Sequence, residues 1–269
     1  MNRLWYEKAA AGWNEALPLG NGFMGAMCFG GNVIDRFQLN LDSLWHGGFR
    51  DRVNPDSKAN IPEIQRLIAA GEIRKAEKLA ELAMAAVPDY QCHYEPLCDL
   101  FLIPETGADI MLFGLRDGWN PQIYTTLPCS GYTRSLDIDS GIHTVSYTLD
   151  GVPHRRESFI SNPDRVMVIR CEGAPLSVIT ERGVFLQEFS RPDENTVCIQ
   201  GQAGSDGVRY CFAVRAVSGS LGVTGRTLRC SGDCVLIAAG ETSFYSSDPY
   251  SAVMSATERA AEKGFGLLK

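Results

Sequence analysis

Two hydrophobic periods divide this chain. Over most of its length apolar residues recur at alternate positions in short runs, the period of a strand with one covered face. The runs fall at Phe23–Phe29, Val33–Leu39, Leu97–Ile103, Asp109–Phe113, Tyr132–Ile138, Thr144–Leu149, Val152–Phe159, Arg165–Cys171, Thr196–Gln200, Val208–Val217, Thr227–Cys230 and Cys234–Ala238. In the first pair the apolar positions are 23, 27 and 29, then 33, 37 and 39, so each strand is expected to bury that face. Gly30-Gly31-Asn32 joins them as a hairpin, and Asp150-Gly151 is a two-residue hairpin signal.

The helical period replaces the alternation twice. Asn60-Ile61-Pro62-Glu63 reads as a helix start, with an Asn cap, proline in the first turn and Glu at the capping-box position. Ile61, Ile64, Leu67 and Ile68 form one apolar stripe, and Ile73, Ala76, Leu79, Ala80 and Ala83 another, with Gly71 as the joint. A last helix follows Asp248-Pro249, with Val253, Ala256, Thr257 and Ala260 on one face. Many short strands divided by Gly, Pro, Asn and Asp point to a mainly β fold. We expect a large antiparallel β-sandwich (a supersandwich) with a helical insertion near residues 60–86 and a C-terminal helix.

Composition narrows the function classes. A net charge of −7 argues against nucleic acid or an anionic membrane surface as partner. No run is long and apolar enough for a transmembrane helix, and the N-terminus has no apolar signal core, so a cytoplasmic protein is expected. The nine cysteines are odd in number and sit mostly in apolar alternation, as reduced thiols acting as small hydrophobes would. Cys92, His93, Cys98, Cys230 and Cys234 come nearest to a metal site, but there is no C-x2-C pair and the histidines are scattered, so no metal is expected.

The densest stretch runs from Trp13 to Gly48: W-N-E-A-L-P-L-G-N-G-F-M-G-A-M-C-F-G-G, then L-N-L-D-S-L-W-H-G-G. Gly20-Asn21-Gly22 can form a tight turn presenting backbone N–H groups, and Gly25 inside a strand marks a close approach to the backbone. Further signatures are Asn54-Pro55 through Ile61-Pro62-Glu63-Ile64 to Ala76-Glu77, then Tyr94-Glu95-Pro96-Leu97-Cys98-Asp99-Leu100, Tyr132-Thr133-Arg134-Ser135-Leu136-Asp137, and Gly151-Val152-Pro153-His154-Arg155-Arg156-Glu157-Ser158-Phe159. Together they resemble the N-terminal region of the family 95 glycoside hydrolases, inverting α-L-fucosidases. The similarity covers about the first 170 residues and weakens afterwards to a strand pattern. Leu41 and Cys98 depart from it, standing where the family usually has glutamate and glycine.

The resemblance implies that residues 1–247 are the N-terminal β-sandwich domain of such an enzyme. Residues 248–269 would begin a helical linker towards an (α/α) barrel carrying the catalytic groups, because Leu267-Leu268-Lys269 just beyond a helix reads as a cut. The whole protein would hydrolyse α-L-fucosides by single displacement on a fucosylated oligosaccharide, without metal or organic cofactor. This chain alone would be inactive, with its own catalytic barrel as partner. No catalytic residue transfers to it. Glu15, Asp35, Asp42, Glu95 and Asp99 supply carboxylates, whose ordinary use is local bonding in turns and strand ends.

The residues expected near substrate or at the barrel interface are Asn21, Asn40, Asp42, Trp45 and His46. Trp45 could stack on a sugar, with Asn40 or Asp42 bonding hydroxyls; the favoured reading packs it at the interface with its N–H on backbone. The Asn21 and Trp45 loops should then lie on one surface. Two other readings stay open: a stand-alone carbohydrate-binding module, and a complete aldose-epimerase-type enzyme using a His and a Glu, although His143 and His154 lie in ordinary strand alternation.

Overall fold

The computed structural model describes residues 2–105 and 127–269. The run expected at Asp109–Phe113 lies outside the described residues. Among the described residues fourteen strands form one continuous antiparallel system. They are β1 (Arg3–Tyr6), β2 (Leu17–Gly20), β3 (Met24–Cys28), β4 (Asp35–Leu41), β5 (Cys98–Pro104), β6 (Ser130–Asp137) and β7 (Ile142–Leu149). The rest are β8 (Val152–Ser161), β9 (Val166–Glu172), β10 (Leu176–Glu181), β11 (Leu186–Asp193), β12 (Thr196–Gln202), β13 (Arg209–Thr224) and β14 (Thr227–Thr242). The order β1-β6-β7-β8-β9-β14-β10-β5-β4-β3-β2 curls into the expected sandwich, and β11-β12-β13 branches from β14.

Strand β14 joins the two leaves. Its first part pairs with β10 (Cys230 opposite Leu176) and its second with β9 (Cys234 opposite Cys171). These are the two runs read from the sequence as separate strands. The transition falls at Gly232, where a Cβ would sit 1.6 Å from the carbonyl oxygen of Gly173. Only glycine allows that approach. The main core lies between the leaves and includes Phe37, Leu39, Leu41, Leu97, Ile169, Phe212 and Leu236.

A second core lies outside β9, β13 and β14, under helix α3 (Pro249–Lys263), whose Val253 and Ala260 pack on Val168, Ala213, Ile237 and Ala239. The Asp248 carboxylate accepts from the Ser251 amide at 3.1 Å and caps this helix at Pro249, where the sequence places its start. Strands covered on both faces need near-continuous apolar sequence, as in Val166-Met167-Val168-Ile169.

Three expectations are corrected. In β3 the residues facing the main core are Met24, Ala26 and Cys28, the opposite parity from 27 and 29, while Phe23, in the turn ahead of the strand, does pack in that core as expected. Met27 and Phe29 instead join Ala10 and Ala16 in a small cluster on the other face. The helical insertion starts at Ser57: α1 is Ser57–Ala69 and α2 is Ile73–Met84, parted at Gly71. Asn60 lies inside α1 and donates to the Asp56 carbonyl at 2.9 Å, because Asn54, accepting from the Asp56 amide at 2.9 Å, has already turned the chain. Finally, β1, β2, β10 and β11 were not expected. Pro18 and Gly20 disguise β2, while β1 and β11 are largely exposed and show no alternation.

The Gly30-Gly31-Asn32 turn is held by buried polar side chains. Oδ1 of Asp35 accepts from the amides of Gly30 (2.8 Å) and Gly31 (3.1 Å), and its Oδ2 lies 2.9 Å from Nε of Arg156 as a buried ion pair off the line of a hydrogen bond. Arg156 also donates to Tyr147 (3.0 Å) and to the Gly31 carbonyl, and Tyr132 donates to the Gly30 carbonyl. Arg134 donates to the carbonyls of Lys8 and Glu15, both at 2.7 Å, fastening the N-terminal segment. Tyr132, Arg134 and Arg156 belong to two of the sequence signatures, so those signatures build a structural clamp.

Candidate functional site

Strands β3 and β4 run antiparallel with Met24 opposite Leu41, so the Asn21 turn before β3 and the Asp42 turn after β4 lie at the same end of the sheet. Chain 42–97 leaves and re-enters there, since β5 begins at Cys98 opposite Leu39. This end carries the five residues singled out in the sequence.

Asn21 builds its own turn. Its Oδ1 accepts from the amides of Phe23 (2.9 Å) and Met24 (2.8 Å), and its Nδ2 donates to the Ser161 carbonyl at 2.9 Å. Those amides are therefore engaged inside the turn and not presented outward, contrary to the expectation. Phe23 stacks at a tilt on Tyr245 with centroids 5.6 Å apart, and the Arg165 guanidinium lies over Phe23 at 4.7 Å. Tyr245 donates to Oδ2 of Asp42 at 2.8 Å, which ties this aromatic pair to the Asp42 turn.

Residues 44–46 and 93–95 form a short antiparallel ladder. Trp45 bridges Tyr94, the His46 amide donates to the His93 carbonyl at 2.9 Å, and the Glu95 amide donates to the Leu44 carbonyl at 3.0 Å. Trp45 and Tyr94 are thus a non-hydrogen-bonded pair, the kind that brings side chains closest. Their rings meet edge to face at 5.2 Å. Trp45 donates from Nε1 to the Asp42 carbonyl at 2.9 Å while its residue stays 40% exposed. The N–H is on backbone, and the residue is partly exposed beside Tyr94.

Asn40 donates to Tyr94 Oη at 2.7 Å, and Tyr94 donates to the Leu41 carbonyl. Gly25, opposite Asn40 in the ladder, makes room for this: a Cβ there would fall 2.5 Å from Oδ1 of Asn40. Gly25→Ala should push Asn40 off Tyr94 and lower stability by about 1 kcal/mol, the worth of one such hydrogen bond. Urea unfolding checks the value. Asn40→Ala should reproduce most of the loss, and the double variant should add little to it.

His46 lies on the other side of the ladder with His93 and Glu95. Its ring stacks on His93 at 4.5 Å and leans on Phe185 at 5.3 Å. The sequence offers His93 only beside cysteines, Glu95 only as one of five carboxylates and Tyr94 only within a signature, and it joins none of them to His46. Their alternation with Leu44-Trp45-His46 becomes visible only once the two distant segments pair.

The other carboxylates are engaged locally. Glu15 accepts from the Ala11 amide at 3.0 Å, Asp99 pairs with Arg36 at 2.7 Å, and Asp35 sits in the buried clamp. Burial raises the Asp99 carboxyl above its ordinary value, partly offset by Arg36. The side chains of Leu41 and Cys98 are both buried in the main core. The nine cysteines carry free thiols, Cys92 and Cys129 half-buried and the others buried. His143 is fully buried, with Nδ1 3.1 Å from the Ser158 hydroxyl, and His154 stacks on Tyr147 at 4.8 Å. His143 is therefore not placed as an epimerase base at an open site. No helix among the described residues is long and apolar enough to cross a membrane.

"Alpha-L-fucosidase 2" of Arabidopsis thaliana is 24% identical over 204 residues, covering 74% of this chain and 22% of that protein. "Probable alpha-fucosidase A" of Aspergillus oryzae is 31% identical over 192 residues, covering 66% and 23%, and its namesake from Aspergillus niger is 25% identical over 287 residues, covering 94% and 33%. The chain thus spans a third or less of the length of each of these relatives. A solved structure named "Putative kojibiose phosphorylase from human microbiome" superposes with a TM-score of 0.53 at 8% identity, over 99% of this chain and 36% of that one, which supports the fold. Residues 4–247 match the model of the glycosyl hydrolase family 65 N-terminal domain. The chain belongs to that family of domains, and is the N-terminal domain of a glycoside hydrolase-type protein.

Proposed function

We propose that the chain is the non-catalytic N-terminal domain of an α-L-fucosidase-like hydrolase of the family 95 kind, and that the end bearing Asn21, Asn40, Asp42, Trp45 and His46 faces a catalytic helical barrel. The whole protein then hydrolyses α-L-fucosides with inversion, its acid and base standing on the barrel, separated widely enough to hold a water between them. The fucosidase names of the three relatives support the substrate class.

The observation that carries the reading is the apolar surface beside this rim. Phe49 is 98% exposed, and Val53, Leu82, Met84 and Val87 are also exposed on segments held together by the bonds of Asn54 to the Leu82 and Ala85 carbonyls and of the Val87 amide to the Arg52 carbonyl. Ile61, Ile68 and Ile73, expected within the buried stripes, are exposed as well. Apolar side chains grouped in this way mark a surface that packs on another domain.

A second reading, a carbohydrate-binding module, draws on the partly exposed Trp45 beside Tyr94. Isothermal titration of the chain with 2′-fucosyllactose separates the two. Flat heats at millimolar sugar fit the domain reading. Binding abolished by Trp45→Ala would establish the module instead. For the activity, the polypeptide encoded by the whole gene should release fucose from 2′-fucosyllactose with the inverted anomer first in proton NMR. Retention would overturn the proposed mechanism.

A further inference from the structure

His46, His93 and Glu95 are drawn together by the ladder: Nδ1 of His46 is 3.7 Å and Nε2 of His93 is 3.0 Å from the same oxygen, Oε1 of Glu95. Among the described residues, the ligating atoms of these three lie within 4.8 Å of one another. We propose that they bind a first-row divalent cation, zinc foremost, on the side of the ladder opposite Trp45 and Tyr94. The inference does not rest on the sugar chemistry of the whole protein.

The donor set fits. Two imidazoles and one carboxylate are ligands zinc accepts, and three protein ligands leave a fourth position for water. Zinc–ligand bonds of about 2.0–2.1 Å in a tetrahedron put neighbouring ligand atoms roughly 3.3 Å apart, which the 3.0 and 3.7 Å separations bracket. Nδ1 of His46 is buried without a hydrogen-bond partner, an arrangement that costs free energy until something occupies its lone pair or proton. Glu95 is only 6% exposed, and its second oxygen lies 3.6 Å from Nη2 of Arg182. That guanidinium, anchored on the Leu97 carbonyl at 2.7 Å, fixes the carboxylate and leaves Oε1 towards the histidines. Its positive charge also weakens cation binding, so moderate affinity is expected.

The His46 ring is held in place. Besides Phe185, it abuts Gly204, where a Cβ would come within 3.1 Å of Cε1. The His93 side chain is 68% exposed and stacks on His46 with 13° between the planes. Imidazole lone pairs lie in the ring plane, so His93 must turn about its Cβ–Cγ bond to direct Nε2 at the ion, and its exposure allows that. The bound cation would clip together the two feet of the helical hairpin, at His46 and at His93–Glu95.

The test is zinc binding by the chain carrying Cys92→Ser, which removes the half-buried thiol beside His93 as a competing ligand. Competition with a chromophoric chelator should show one equivalent bound. Cobalt(II) should give visible d–d bands without thiolate charge transfer. His93→Ala, at an exposed position, should weaken binding at least about tenfold and leave the metal-free thermal midpoint unchanged. Zinc should raise the midpoint of the Cys92→Ser chain and not that of its His93→Ala derivative. Absence of zinc binding, or binding undiminished by His93→Ala, overturns the proposal.

Discussion

Asp35→Ala is expected to destabilise the domain by about 3–5 kcal/mol, the usual cost of leaving a buried charge without its partner. Asp35 is wholly buried, and it neutralises Arg156 while receiving the Gly30 and Gly31 amides. Burial raises its carboxyl above the ordinary range, and Arg156 and the two amides pull it back only in part, so the pair is retained at a cost. Its removal would leave a fully buried guanidinium and free the turn that joins β3 to β4. Urea unfolding measures the loss. The double variant Asp35→Ala/Arg156→Met should recover a large part of it, because an apolar pair leaves no charge unpaired. A loss below about 1 kcal/mol in the single variant would show that water reaches the clamp.

The second large effect is pH dependence through His143. Burial, reinforced by the nearby Arg156 and Arg134, holds its pKa down to about 3. An unfolded imidazole takes up its proton near 6.5, so between these values the unfolded chain binds more protons and stability rises with pH. The contribution is fully present above the unfolded value and is lost as pH falls towards 3, over a span on the order of 4 kcal/mol. Asp35, with its raised carboxyl, acts in the opposite sense at acid pH. His154, lowered by burial and by Arg156, acts in the same sense as His143. The diagnostic window is therefore pH 6.5 down to about 5, compared between parent and His143→Asn, which keeps a polar group towards Ser158 without a titrating proton. The parent should lose stability across that window with a slope approaching one proton more than the variant. Equal slopes would mean that His143 is not neutral and buried.

Much of the fold is legible in the chain because alternation survives wherever one face is covered. The hairpin at Asp150-Gly151 is such a case: both residues take positive φ, and β7 and β8 pair on either side of them. The reading failed where both faces are covered or neither is. In β3 the bracketing residues differ: Phe29 joins the cluster on the other face, while Phe23, in the turn ahead of the strand, reaches the main core, so the apolar residues nearest its ends gave the wrong parity. The halves of β14 were visible, but not their continuity, because the close approach at Gly232 is a tertiary fact.

The candidate rim divides in the same way. Asn21, Asp42 and Trp45 stand out as turn and aromatic residues, and the antiparallel β3–β4 register places them at one end. His93 and Glu95 are named in the sequence, but nothing local joins them to His46, since their meeting depends on a ladder formed across the whole helical insertion.

Hydroxyl-radical footprinting of the polypeptide encoded by the whole gene, set against the 269-residue chain alone, tests the central claim most directly. Protection of Phe49, Trp45 and Leu82 in the longer polypeptide, with the exposed Leu221 of β13 unchanged, is the predicted result. Equal labelling of Phe49, Trp45 and Leu82 in both would contradict it.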